Sequence, residues 1–254
     1  MITSVNISKS RNELTLGTQK VARKLEPIIG VVNILELIKD KTKGNNDVFE
    51  EKLNHPNSQL VVSEFTQETY LNKIKEATTE SDVLLLMDSV DLSDSQKIIQ
   101  QLTDNQKIIV GGSVKSIKKS LSGDKKSNAV CLQEKELSQL LSLSKETIAD
   151  MLPSEILSDP MFEDVPFVFI YDEVGNGYVL NNEEIYTVAV QNVEGITINH
   201  EGMLLGLAYG MEAEKAISEL VKIAIICGIA SNHNQDTLFD QHYFEDKISV
   251  TKIA

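Results

Sequence analysis

The stretch Thr197–Met211, TINHEGMLLGLAYGM, gathers the residues best suited to chemistry: Asn199, His200, Glu201 and Gly202 run directly into an apolar helical pattern. A strand that turns tightly into a helix aims several free backbone N–H groups at one point, where an anion can sit. Glu201 is the carboxylate at the start of that helix. His200 adjoins it, but adjacent helical residues rarely face each other. The remaining histidines, His55, His233 and His242, show no ligand spacing, so no metal site is expected. Met203, Leu204, Leu207 and Met211 are spaced for one buried face, and Gly206 and Gly210, four apart, allow a neighbouring element to come close.

The elements that must position this corner can be read from apolar periodicity. Ile2–Ile7 alternates as a strand, and Val21–Lys41 reads as one helix with Ile28, Val31, Val32, Leu35 and Ile38 on a face. Asp40–Pro56 reads as a polar connector around a short helical piece. Leu60–Val62 suggests a strand and Thr66–Thr79 a helix. Asp82–Met87 is a continuous apolar run of the kind found in a doubly covered parallel sheet. Helices over Ser93–Leu102 and Val114–Leu121 then alternate with strands at Lys107–Val110 and Ala129–Leu132, and one or two helices follow over Glu134–Met151. Val165–Ile170 is a strand. Gly175, Asn176 and Gly177 turn into a meander through Tyr178–Leu180 and Ile185–Val190. A long helix over Glu212–Ser231, apolar nearly all round in its second half, and a strand at Lys247–Thr251 close the chain. This alternation predicts right-handed βαβ units in a single α/β domain, a three-layer sandwich with a mostly parallel sheet.

Composition excludes several function classes. The 254 residues carry 24 basic and 38 acidic side chains, a net charge of −14, which repels nucleic acid and anionic lipid. Lys115, Lys118, Lys119, Lys125 and Lys126 form only a short local cluster that reads as a solvated face. Cys131 and Cys227 stand far apart in apolar surroundings, as reduced core thiols of a cytoplasmic protein do. The first residues, MITSVNISKSRNEL, lack the basic and apolar regions of a signal peptide, and Ile223–Ala230 is too short to span a bilayer.

The order of elements, with a helix pair and a terminal strand after the corner, resembles the PfkB carbohydrate kinases of the ribokinase superfamily, most closely the 1-phosphofructokinase and tagatose-6-phosphate kinase branch. GMLLGLAYGMEAEKAISELVKIAIICGIAS through KISVTKI carries the strongest part of the likeness. The resemblance implies a ribokinase-like fold, and it sets each site motif beside an altered counterpart. Ile198, Asn199, His200 and Glu201 stand where the family has Gly, Ala, Gly and the catalytic Asp. On the substrate side SKSRN places Asn12 at the sugar-holding Asp, IIGVVN keeps Gly30 and Asn33 at a segment that opens the first helix, and MDSVD keeps Ser89. On the nucleotide side CLQEKEL keeps Gln133 and Glu136 with Cys131 at the family Lys, and YDEVGNG keeps Gly177 with Val174 at an earlier glycine. Gly202 follows the corner, Gly228 is kept in the last helix, and Ser231 replaces an adenine-side Asn. Ser89, Ser113 and Gly177 read equally as relics of a phosphate pocket or as plain turn residues.

Only some twenty residues separate the first helix from Phe65, so the lid strands that the family carries there are expected to be deleted. A lid excludes water from phosphoryl transfer. The expected function is therefore a kinase homologue without phosphoryl transfer, which binds a small phosphorylated ligand or a partner and needs no cofactor. The alternative is an active sugar-phosphate kinase that uses ATP and magnesium with Glu201 as base. A third reading is a subunit that pairs with itself or with a true kinase.

Overall fold

The computed structural model describes residues 1–8, 18–30, 32–40, 48–54, 64–65, 72, 74–76, 78–88, 95–182, 184–191, 197–232 and 241–253. Strand β1 (Ile2–Ser8) leads to helix α1 (Thr18–Ile29), then to β2 (Asn33–Asp40), β3 (Val48–Asn54) and β4 (Glu64–Phe65). Strands and helices then alternate: β5 (Val83–Asp88), α2 (Ser95–Gln101), β6 (Lys107–Gly112), α3 (Val114–Ser120) and β7 (Ala129–Gln133). Helices α4 (Glu134–Leu141), α5 (Lys145–Asp150) and α6 (Pro153–Leu157) separate β7 from β8 (Phe167–Tyr171). A meander of β9 (Gly177–Asn181) and β10 (Glu184–Val190) is followed by α7 (His200–Glu212), α8 (Ile217–Asn232), α9 (Gln241–Glu245) and β11 (Ile248–Lys252).

All of these strands form one sheet in the order β11-β10-β9-β8-β7-β6-β5-β1-β2-β3-β4. Its centre, from β2 through β1 and β5 to β8, is parallel, and both wings are antiparallel. Because successive strand residues point to opposite faces, each apolar run feeds two cores. Val83, Leu85, Met87, Ile109, Cys131, Phe169 and Tyr171 pack on one face with α1, α7 and α8. Leu84, Leu86, Val110, Val130, Leu132 and Ile170 pack on the other with the helices between β5 and β8. The result is the three-layer αβα sandwich that the alternation predicts.

Helices α7 and α8 lie closest together, and glycine makes that possible. A Cβ at Gly206 would stand 2.8 Å from Cys227 Cβ and 2.9 Å from Ala224 Cα, so the two backbones meet where no side chain fits. Both helices are also tied at their C-terminal ends, where free carbonyls gather: Lys107 Nζ donates to Met211 O and Lys24 Nζ to Ser231 O, each at 2.9 Å.

Three expectations are corrected. The predicted helix over Val21–Lys41 stops at Ile29, because Gly30 takes φ +71° and its N–H closes on Glu26 O at 2.9 Å. Residues 33–38 instead pair in parallel with β1, a partner that no local pattern announces. The connector Asp40–Pro56 contains β3, not a helical piece, and β3 pairs antiparallel with β2. Strands β2, β3 and β4 lie in this stretch and continue the central sheet. The second long helix begins at Ile217, not Glu212, since Glu214 adopts φ 51° and Lys215 N–H turns back to Gly210 O at 2.9 Å. Leu60–Val62 lies outside the described residues, and the described part of Thr66–Thr79 is helical at 72, 74–76 and 78.

Candidate functional site

The parallel strands end together at Gly112, Gln133 and Tyr171, and α7 starts over that edge with His200. Asn199 is the N-cap, with extended backbone at φ −82° and ψ 119°, and its Oδ1 accepts from Gly202 N–H at 2.8 Å. The Asn199 N–H donates to Gly228 O at 3.0 Å, and Ile198 N–H to Glu173 O at 2.9 Å, so the corner is fastened to α8 and to the β8–β9 turn. Ile198 is buried against Gly228, where a Cβ would stand 2.8 Å from Ile198 Cγ2. Side chains thus occupy the corner.

His200 is turned inward. Its ring lies nearly parallel to that of Tyr171, at 11° with centroids 6.1 Å apart, and Nδ1 shares a short hydrogen bond with the Tyr171 hydroxyl. Nε2 is buried near Gly111 and has no hydrogen-bond partner among the described residues; a Cβ at Gly111 would come within 3.3 Å of it. Burial, followed by the positive charge of Lys135, lowers the His200 pKa to about 4, so the ring is neutral at pH 7. Burial likewise pushes the Tyr171 phenol well above its usual range, with Cys131 and Glu136 adding to the effect. At neutral pH the imidazole is therefore uncharged and the phenol keeps its proton.

The residues expected on the nucleotide side hold structural positions. Glu136 Oε2 accepts from Gln133 N–H at 2.7 Å, capping α4, and burial raises its pKa. Gly177 is required by the sheet, since a Cβ there would stand 1.9 Å from Ile170 O. Ser231 is buried and its Oγ donates to Gly228 O at 3.0 Å, within its own helix. Gly202 packs against it, with a would-be Cβ 2.3 Å from Ser231 Oγ. Glu201 lies partly buried on the first turn of α7. Ser113 is the N-cap of α3, its Oγ accepting from Ser116 N–H at 3.2 Å.

On the substrate side, Gly30 and Asn33 follow the end of α1 rather than opening a helix, which corrects that expectation: the positive φ at Gly30 ends the helix there. Asn12 and Ser89 lie outside the described residues. The sequence reading missed Tyr171 and Asp172. The signal was present in YDEVGNG, where an Asp precedes a turn rich in Asn and Gly, the pattern of a side-chain-closed turn. Asp172 Oδ1 accepts from the N–H groups of Val174, Gly175 and Asn176 at 2.9, 2.8 and 2.9 Å.

Two clefts lie away from the corner. One of about 440 Å³ is lined by Ile28, Tyr209, Lys222 and Gln241, and one of about 360 Å³, at the opposite end of the strands, by Lys107, Asn128, Phe167 and Leu220. Among the described residues no group of three or more His, Cys, Asp or Glu side chains could hold a metal ion, and no helix is long and apolar enough to cross a membrane.

A central parallel sheet thus lies between helical layers, with a strand-to-helix corner over its C-terminal edge. The pyridoxal kinase of Staphylococcus aureus bound to pyridoxal is similar, with a TM-score of 0.59 and 13% identity, over 100% of this chain and 99% of that one. A mutant of phosphofructokinase-2 from Escherichia coli has a TM-score of 0.60 at 15% identity, over 96% of this chain and 80% of that one. Phosphomethylpyrimidine kinase from Clostridium difficile has a TM-score of 0.58 at 10% identity, over 88% and 97%. The ribokinase-like fold expected from the order of motifs is borne out. No protein-family model and no curated protein sequence matches the chain.

ATP with magnesium is what such a fold implies, and among the described residues several backbone amides at and beside the corner are already held by side chains. The Gly202 amide is held by Asn199, and three amides of the β8–β9 turn are held by Asp172. These four backbone donors have side-chain oxygens as partners and are not open to an anion as they stand.

Proposed function

We propose that this chain is a sugar-kinase homologue, of 1-phosphofructokinase or tagatose-6-phosphate kinase ancestry, that carries out no phosphoryl transfer and acts by binding a ligand or a partner chain, itself or a true kinase. The observation that carries the reading is the closed corner: Asn199 Oδ1 holds the Gly202 N–H at 2.8 Å, while His200 is bonded inward to Tyr171. Phosphoryl transfer depends on preorganised donors aimed at the charge of the transition state, and a donor already satisfied within the protein contributes nothing to it. The retained glycines support the same reading, because Gly202, Gly206 and Gly228 have packing roles that persist without chemistry.

A second reading, an active ATP-dependent sugar-phosphate kinase, draws on Glu201, a carboxylate kept on the first turn of α7. The test is a coupled assay with ATP and magnesium against fructose 6-phosphate, fructose 1-phosphate, tagatose 6-phosphate and pyridoxal, with thermal-shift titration of ATP and ADP alongside. No turnover and no nucleotide shift is expected. Turnover that is lost on Glu201→Gln would overturn the proposal in favour of the kinase.

A further inference from the structure

The N-terminal ends of β6, β7 and β8 form the edge of the sheet opposite the corner, and the cleft of about 360 Å³ opens there. Its floor is apolar: Phe167 at the start of β8, Met211 near the end of α7, and Ile217 and Leu220 on α8. A concavity of this size, apolar with a few fixed polar groups, suits a small organic ligand. Helix α7 runs from the corner to this cleft. It has 13 residues, and at about 1.5 Å per residue it sets the two roughly 20 Å apart.

Two donors border the apolar floor. Asn128 precedes β7, and its Oδ1 accepts from Ile108 N–H at 2.7 Å. A backbone N–H can only donate, so the amide is oriented by that bond. Its Nδ2 is left as a donor with no partner among the described residues. Lys107, the first residue of β6, donates from Nζ to Met211 O at 2.9 Å, which holds the half-buried ammonium at the cleft and leaves it two further N–H bonds. No described carboxylate forms an ion pair with it, and Asp82 acts on it only from a distance. Lys215, on the same lining, is by contrast paired with Glu219 at 2.7 Å. An ammonium without a carboxylate, next to an amide that has only donors left to offer, is complementary to an anionic acceptor with two oxygens.

We propose that this cleft is a binding site for a small monocarboxylate with an aromatic or branched apolar body. Lys107 Nζ and Asn128 Nδ2 take the carboxylate, and the body lies on Phe167, Ile217 and Leu220. One negative charge is specified, because Glu214, exposed on the same lining, opposes a second. The site goes beyond the proposed loss of phosphoryl transfer and stands whether or not the corner is active, since the two share no residue.

Phenylacetate and isovalerate are the probes, read by thermal shift and by the resonances of the Asn128 side-chain amide and the Ile217 and Leu220 methyls. At least one of them is expected to raise Tm and to bind with a Kd below about 1 mM, shifting those resonances. Its matching amide, phenylacetamide or isovaleramide, is expected to bind at least about tenfold more weakly, as are acetate, which lacks the body, and phenylmalonate, which adds a charge. Lys107→Gln is expected to weaken the bound acid by at least about tenfold. Silence of wild type toward both acids at about 10 mM overturns the proposal. So do equal binding of any of the three kinds of control, shifts that leave Asn128 and Leu220 unmoved, and unchanged binding by a folded Lys107→Gln. If that variant does not fold, the comparison of acid with amide in wild type decides. Kinase turnover by wild type would instead strike the functional reading, so the two failures are distinct.

Discussion

The Tyr171 hydroxyl and His200 Nδ1 share a short hydrogen bond across 29 positions of sequence, their rings tilted by only 11°. This joins the end of β8 to the start of α7 and fixes the ring that fills the corner. Burial first, and then the charge of Lys135 from α4, lowers the imidazole pKa from 6.5 to about 4. The unfolded chain therefore takes up a proton near pH 6.5 that the native chain refuses until about pH 4. The contribution of this neutral site to stability is full above pH 6.5 and is lost as pH falls through that window, approaching about 3 kcal/mol. Urea unfolding across this range, compared with His200→Asn, checks it. The variant should lack that part of the slope, and parallel curves for the two proteins would exclude His200 as the source.

The fold was legible where one kind of signal dominated. Val83–Met87 is apolar at every position, so only a strand covered on both faces suits it, and the Gly206 and Gly210 spacing announced a close helix pair. Residues 28–38 were not legible, because Ile28, Val32, Leu35 and Ile38 fit a helical face while β1, the strand that pairs with residues 33–38, is distant in sequence. The candidate site was half legible. His200, Glu201 and Gly202 are contiguous, but Tyr171 joins them only through the register of β8 in the sheet. Whether an amide is free or already held, as at Gly202 and Gly175, depends on side-chain direction that residue type does not give.

Gly206→Ala tests how closely α7 and α8 are packed. The added methyl meets Cys227 Cβ at 2.8 Å and the Ala224 backbone at 2.9 Å, and main chain cannot step aside as a flexible side chain can. A loss of about 1–3 kcal/mol is expected in chemical denaturation. Gly210→Ala meets only Leu220, at 3.0 Å and beyond, and should cost less. Equal costs at the two positions would contradict this packing.

The two cysteines should be silent toward thiol reagents in the native protein. Both are fully buried, and burial pushes the Cys227 thiol up to about 12. Burial, with the nearby Glu136 second, moves Cys131 in the same direction. Thiolate is the reacting species, so neither pKa nor access favours attack at pH 8. Labelling with a chromogenic disulfide reagent should report no fast thiol before denaturation and both after it. A thiol that reacts rapidly in the folded protein would show that one of these helix–sheet contacts opens.

Asn199→Ala separates the cap from the chemistry. Losing the Oδ1 acceptor frees the Gly202 N–H at the start of α7, and N-cap removal of this kind costs about 1 kcal/mol. If that cap alone stood between this corner and catalysis, the variant would gain ATP-dependent phosphorylation of a sugar phosphate. It should not, because Ile198 remains packed on Gly228, His200 remains bonded to Tyr171, and Asp172 still fills the neighbouring turn. The expected result is a lower Tm with no turnover in the coupled assay. Activity that appears in Asn199→Ala and disappears when Glu201→Gln is added would show that one capping side chain silences an otherwise competent kinase.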